Sequence, residues 1–319
     1  MKSNALTFID LFAGIGGFHL AWHNLGAKCV FASEIDPFAR LTYEENFRRL
    51  SPQLFENGLF NPDITAITFP SEEIPNFDIL CAGFPCQPFS QAGFKRGFAE
   101  EKDKRGNMFF IIAEIIEAKR PSVIFLENVR HLLNHDGGKT FETIRAILSE
   151  RLGYNIYWQV VKASDYGLPQ HRPRLFIVGF RKEDNYGAEF KFPRKLPLNI
   201  TMNQVWGDVC EKEIGYTLRV GGRSSGVGDR RNWDCYIVGG QERRMGPKEG
   251  RRMMGFPDDF VFPVSKTQAM KQLGNSVAVH AVQAVGETII ERLQTLRRQA
   301  AKPVWTDKAQ NAAQAACYE

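Results

Sequence analysis

The sequence predicts an α/β fold, a mostly parallel sheet flanked by helices and followed by a smaller, irregular second lobe. Three observations predict it. Short apolar runs alternate with helical stretches through residue 180, the first run passes through a glycine-rich turn into a helix, and after Phe180 the alternation stops.

The first run, Leu6-Thr-Phe-Ile9, leads into Asp10-Leu-Phe-Ala-Gly-Ile-Gly-Gly17 and a helical pattern from Phe18 to Leu25. A second run, Lys28 to Ser33, ends at Glu34 and Asp36. Further buried-looking runs fall at Phe77 to Ala82, Val123 to Leu126 and Leu175 to Phe180, with helical stretches at Met108 to Ala118 and Thr140 to Leu152. This organisation divides the chain into a catalytic and cofactor-binding unit over 1–182 and a recognition lobe over 183–270, where Gly, Arg, Pro and Asn dominate. Residues 271–299 contain an amphipathic helix, Ala278 to Leu296, expected to pack back on the first lobe, and 300–319 form a loosely ordered tail.

A chain of 319 residues, 43% hydrophobic, can bury a large core. No stretch reaches the roughly 18 apolar residues that span a bilayer, and the Met1 to Leu6 start carries one lysine and no long apolar run, so a soluble intracellular protein is expected. Six cysteines without a CxxC pair suggest neither a disulfide framework nor a zinc site, and no metal is expected. A formal charge of +5 is compatible with a polyanionic partner and decides little alone.

A strand entering Phe12-Ala13-Gly14-Ile15-Gly16-Gly17 lets backbone approach a ligand closely, and Glu34, at the end of the next strand, can accept both hydroxyls of a ribose. The compact turn departs from the spaced glycines of a dinucleotide site and favours an adenosyl group without pyrophosphate. Glycines in such a turn also serve tight packing. Asp63-Ile64 offers an adenine one hydrogen bond and an apolar contact, although an aspartate there also reads as a turn or cap residue.

Gly83-Phe84-Pro85-Cys86-Gln-Pro88 follows a strand directly, so Cys86 belongs on a proline-stiffened loop at the carboxyl edge of the sheet. Glu127 closes another strand and projects toward the same crevice, as a capping group or a tuned acid. Gln170-His-Arg172-Pro-Arg174 adds two fixed cations before the strand from Leu175.

In this order the blocks resemble the DNA cytosine-5 methyltransferase family, of the bacterial restriction-modification type, over almost the whole chain. They are Asp10 to Gly17, Phe84 to Pro88, Glu127-Asn-Val129, Gln170-x-Arg172-x-Arg174, Met254-Gly-Phe-Pro-Asp258 and Gly274-Asn275-Ser276-Val277. The resemblance implies a Rossmann-like sheet dependent on S-adenosylmethionine, a target-recognition lobe, and donor-pocket roles for Asn275, Ser276 and Val277. It implies that Cys86 adds to C6 of a flipped-out cytosine, that Glu127 neutralises N3, and that Arg174 lies near O2 and the nucleophile. Arg172 supports the loop or binds phosphate. Gln91 to Asn107 would close over the base, with Gln91, Lys95 and Arg96 meeting DNA, as would Arg219, Arg223, Arg230 and Arg231 in the recognition lobe.

The expected partner is double-stranded DNA containing guanine beside the target cytosine, with a separately acting cognate endonuclease. A monomer suffices because one chain holds every motif, and the family's setting is the bacterial cytoplasm and nucleoid. Some relatives act instead on tRNA, but the broad Gly-Arg recognition lobe favours DNA. Intact Cys86, Glu127, Arg172 and Arg174 argue against an inactive DNA-binding relative, and the missing dinucleotide fingerprint argues against an oxidoreductase.

Overall fold

A computed structural model describes residues 5–85, 108–184, 190–221 and 225–300. The loop from Gln91 to Asn107 and the tail beyond residue 300 lie outside the described residues.

Seven strands form one sheet: β1 (Thr7–Leu11), β2 (Lys28–Ser33), β3 (Phe60–Asn61), β4 (Ile79–Gly83), β5 (Val123–Val129), β6 (Tyr154–Lys162) and β7 (Pro173–Arg181), in the spatial order 3-2-1-4-5-7-6. The first five run parallel, as the alternation predicts, whereas β7 is antiparallel to both β5 and β6. The reason is the connection. The parallel strands β4 and β5 are joined through the helix Met108–Lys119, but β6 reaches β7 over a short segment with no crossover helix, and a short link permits only antiparallel pairing. Strand β6 is absent from the apolar runs in the sequence because it is a sheet edge, half-exposed along much of Tyr154–Lys162, with Asn155 and Gln159 interrupting its pattern.

The sheet strands alternate between two cores. Phe8, Ile79, Cys81, Val123, Phe125, Phe176 and Val178 face one hydrophobic cluster, while Ile9, Leu11, Leu80, Ala82, Ile124, Leu126, Leu175 and Ile177 face the other. Burial on both faces explains why these strands read as continuous apolar runs. Helices α1 (Gly17–Asn24), α2 (Pro37–Phe47), α3 (Pro52–Glu56), α4 (Pro70–Glu73), α5 (Met108–Lys119) and α6 (Lys139–Ala146) accompany the sheet, α6 passing into a wider turn at Ile147–Arg151.

Beyond the sheet come α7 (Met202–Trp206), a hairpin of β8 (Cys235–Val238) and β9 (Gln241–Arg244), α8 (Pro247–Met254), α9 (Lys266–Asn275) and α10 (Val279–Ala300). The two-residue hairpin turn needs positive φ at both positions, which Gly239 and Gly240 supply at 58° and 73°. Trp206, Trp233, Tyr236 and Met253 of this region join the cluster that contains α1. Helix α10 lies so close to α1 that a methyl group on Gly286 would stand 2.7 Å from Leu25 Cδ1.

The strand order reverses at β1, which has β2 on one side and β4 on the other. In open α/β sheets the crevice beyond the carboxyl ends at such a switch point receives ligands.

Candidate active site

A cavity of about 710 Å³ opens there. Phe12 and Gly14 reach it from the end of β1, Glu34 and Ile35 from β2, Gly83, Phe84 and Pro85 from β4, Glu127 from β5, and Asp63 and Ile64 from the turn after β3. Asn275 closes the wall from the end of α9.

The Glu34 carboxylate is oriented by two backbone donors, Gly14 N–H at 2.7 Å to Oε2 and Asp36 N–H at 2.7 Å to Oε1. Each oxygen keeps acceptor capacity for a further partner. Burial pushes the Glu34 carboxyl up, and those backbone donors pull the other way. Beside it Ile35 is 68% exposed, an apolar side chain left open to a ligand face. Phe12 holds φ at 55°, an uncommon backbone state for a non-glycine residue and of the kind that gathers at functional sites. Asp63 uses one oxygen as a cap, accepting from Thr65 N at 2.9 Å and Oγ1 at 2.7 Å, so the cap reading and the cavity position hold together.

The glycine turn divides its work. Gly14 lines the cavity at φ 56°, with nothing within 4 Å of where a Cβ would stand. Gly16 and Gly17, expected as cofactor contacts, do not line the cavity. The Phe47 ring fills the space beside Gly16, and a Cβ on Gly17 would sit 2.6 Å from Val277 Cγ2 and 3.0 Å from Ser276 Oγ. Ala13, Ser276 and Val277 are likewise buried packing residues outside the cavity lining, Ala13 N–H donating to Ser33 O at 2.9 Å. Gly17→Ala is therefore expected to destabilise the fold by about 1–3 kcal/mol through overpacking, read as a lower midpoint in thermal unfolding.

At the ends of β5 and β7, Arg174 Nε meets Glu127 Oε1 at 3.0 Å. Glu127 is 8% exposed, and burial raises its carboxyl above the usual range while Arg174 and Arg172 act to lower it. Glu127 pairs with Gly83 in the β4–β5 ladder, three residues before Cys86. Asn128 Nδ2 donates to Phe84 O at 2.8 Å and so ties the two strand ends together.

Arg172 lies behind the cavity wall rather than on it. Its guanidinium, 1% exposed, donates to Leu218 O at 3.2 Å, to Gly274 O at 2.9 Å and to Ser276 O, and it does not line the cavity. Burial lowers its pKa to about 9. Sequence reasoning grouped it with the catalytic residues and left it a choice between supporting the loop and binding phosphate; in the fold it staples the chain at Leu218 and the end of α9 to the start of β7.

Cys86, Gln91, Lys95, Arg96 and Arg223 lie outside the described residues. Arg219, Arg230 and Arg231 are exposed, and Arg231 is paired with Asp229 at 2.8 Å. Sequence reasoning missed Asp36, Lys271 and Gln272, all at the cavity. Lys271 Nζ bonds Asp36 Oδ2 at 3.2 Å, and Gln272 accepts from Thr42 Oγ1 at 2.9 Å. The signals available were the position of Asp36 two residues after Glu34 and that of Lys271 and Gln272 just before Gly274-Asn275.

The strand order and its switch-point cavity define an α/β fold that receives a ligand beyond the carboxyl ends of its strands. The chain matches the family described as C-5 cytosine-specific DNA methylase over residues 6–219 and 213–291. It is 38% identical to the type II methyltransferase M.DsaV of Dactylococcopsis salina, covering 94% of this chain and 90% of that protein. It is 39% identical to the type II methyltransferase M.HpaII of Haemophilus parainfluenzae, covering 91% and 90%. Among solved structures it resembles a putative DNA modification methyltransferase encoded within an E. coli prophage, with a TM-score of 0.68 at 21% identity over 91% of this chain and all of that one. The chain belongs to the C-5 cytosine-specific DNA methylase family and is a DNA cytosine-5 methyltransferase.

Proposed function

We propose that the chain transfers a methyl group from S-adenosylmethionine to C5 of a flipped-out cytosine within a short specific sequence of duplex DNA, through a covalent Cys86 adduct. The observation that carries this reading is that the buried Glu127–Arg174 pair and the oriented Glu34 carboxylate open onto one cavity.

The residues fit the donor. Glu34 has free acceptor capacity for the ribose hydroxyls, Ile35 offers an apolar face to the adenine, and Asp63 keeps a second carboxylate oxygen for an adenine amine. Gln272, 6% exposed and at the cavity, has a buried Nε2 without a partner among the described residues, an unsatisfied donor of the kind that a polar ligand relieves. When bound, S-adenosylmethionine supplies an electrophilic methyl group.

Ring carbon C5 of cytosine is too weak a nucleophile to take that methyl directly. The Cys86 thiolate adds to C6, and the electron pair of the C5–C6 double bond moves toward N3, where Glu127 supplies a proton. C5 is then enamine-like and can form its new bond to carbon. A base removes the C5 proton, the C6–S bond breaks, and Glu127 recovers its proton from N3. Arg174, beside Glu127, places a fixed positive charge where the O2 and N3 edge becomes electron-rich.

The test is to incubate the protein with labelled S-adenosylmethionine and either duplex DNA or tRNA, then map modified cytosines. Label at 5-methylcytosine in one short DNA motif supports the reading; label confined to tRNA reverses the substrate. Glu34→Ala is expected to weaken S-adenosylhomocysteine binding by about 10–100-fold in calorimetry, the scale of losing hydrogen bonds to a charged acceptor. Unchanged affinity would remove Glu34 from the donor site.

A further inference from the structure

The recognition segment is fastened to the catalytic lobe at Leu218. Its N–H donates to Gln170 Oε1 at 3.1 Å, and its carbonyl accepts from Arg172 Nη1 at 3.2 Å. Both partners are buried residues of the block that carries Arg174. The next residue, Arg219, rests its backbone on the cofactor wall: a Cβ on Gly274 would lie 2.7 Å from the Arg219 carbonyl carbon. Two residues further, Gly221 O accepts from Trp233 Nε1 at 2.7 Å, and Trp233 is itself buried. The backbone is thus held on both sides of Arg219 and Val220, whose side chains are exposed, and Arg219 has no partner among the described residues.

The other two described arginines expected to meet DNA, Arg230 and Arg231, are placed differently. Arg231 is committed to Asp229 through Nε at 3.2 Å and Nη2 at 2.8 Å. Arg230 is exposed on a turn whose backbone bonds, Asp229 N–H to Gly226 O and Asn232 N–H to Asp229 O, stay within the recognition segment.

The geometry points to Arg219 as the arginine that reads a guanine next to the target cytosine, an assignment that rests on duplex DNA being the substrate. Reading a base edge requires the planar guanidinium fork to meet O6 and N7 together, so it demands a backbone fixed relative to the pocket that holds the target base. Arg219 has that: Arg172 bonds its neighbour Leu218 and also the Gly274 carbonyl of the cofactor wall. A phosphate contact needs charge and tolerates a mobile backbone.

The experiment compares the full chain with Arg219→Ala and Arg219→Lys on a library of duplexes, sequencing the methylated products, with S-adenosylhomocysteine affinity measured alongside. Arg219→Ala is expected to lower methylation of the native motif by about 10-fold or more and to relax one guanine position next to the cytosine. Arg219→Lys should leave that position relaxed, and donor affinity should hold in both, showing an intact fold. An unchanged motif in Arg219→Ala overturns the assignment, as does a uniform loss across sequences that Arg219→Lys restores, which would mark a phosphate contact. If the unmodified chain methylates no DNA, the underlying reading fails first, and it is seen separately.

Discussion

Cys86→Ala is expected to abolish methyl transfer, with a loss on the order of 10⁶-fold, while DNA binding stays close to that of the unmodified chain. The size follows from the chemistry. Without addition at C6 the cytosine ring keeps its aromatic electrons, and among the described residues that line the cavity there is no thiol to replace Cys86. In the proposed mechanism Arg174 and Glu127 stabilise charge that develops only after the thiolate has added. A duplex carrying 5-fluorocytosine separates this mechanism from general loss of function. Fluorine at C5 cannot leave as a proton, so the unmodified chain should accumulate a denaturation-resistant protein–DNA adduct and Cys86→Ala none. Turnover near the unmodified rate in Cys86→Ala would sink the covalent mechanism.

Glu127→Gln should lower turnover by about 10²–10⁴-fold, the range for removing a positioned proton donor. Burial pushes the Glu127 carboxyl up, with Arg174 and Arg172 opposing, so its protonated form persists to higher pH than in an ordinary carboxyl. If the protonated form is the one that serves N3, turnover falls as pH rises through that raised value. The glutamine variant, which does not titrate, should lose this limb. Stopped-flow or quench measurements of single-turnover rate against pH read both effects. A variant with full rate and an unchanged profile would leave Glu127 as no more than the ion-pair partner of Arg174.

Much of the site was legible in sequence because chemistry and backbone geometry restrict residue choice at those positions. A carboxylate closing a strand and a glycine turn twenty residues before an acid each carry their reason locally, and both meet at the cavity. The alternation of strands and helices was equally legible, since a sheet buried on both faces must be apolar throughout.

What only the tertiary structure decided is how residues of one motif divide their roles. Gly14, Gly16 and Gly17 are identical in sequence terms, but Phe47 and Val277, from distant parts of the chain, leave only Gly14 facing the cavity. Arg172 and Arg174 stand two apart, just before and just inside β7, and the arrival of Leu218 and Gly274 turns the first into a buried staple while the second meets Glu127. The direction of β7 and the presence of the edge strand β6 depend on which neighbour each finds. By itself the sequence determined which chemical groups and which alternation of elements the protein has, because those follow from local valence, φ preference and hydrophobic period. Contact between residues tens to more than two hundred positions apart determined which of those groups reach the cavity, because burial and pairing are set by the assembled packing.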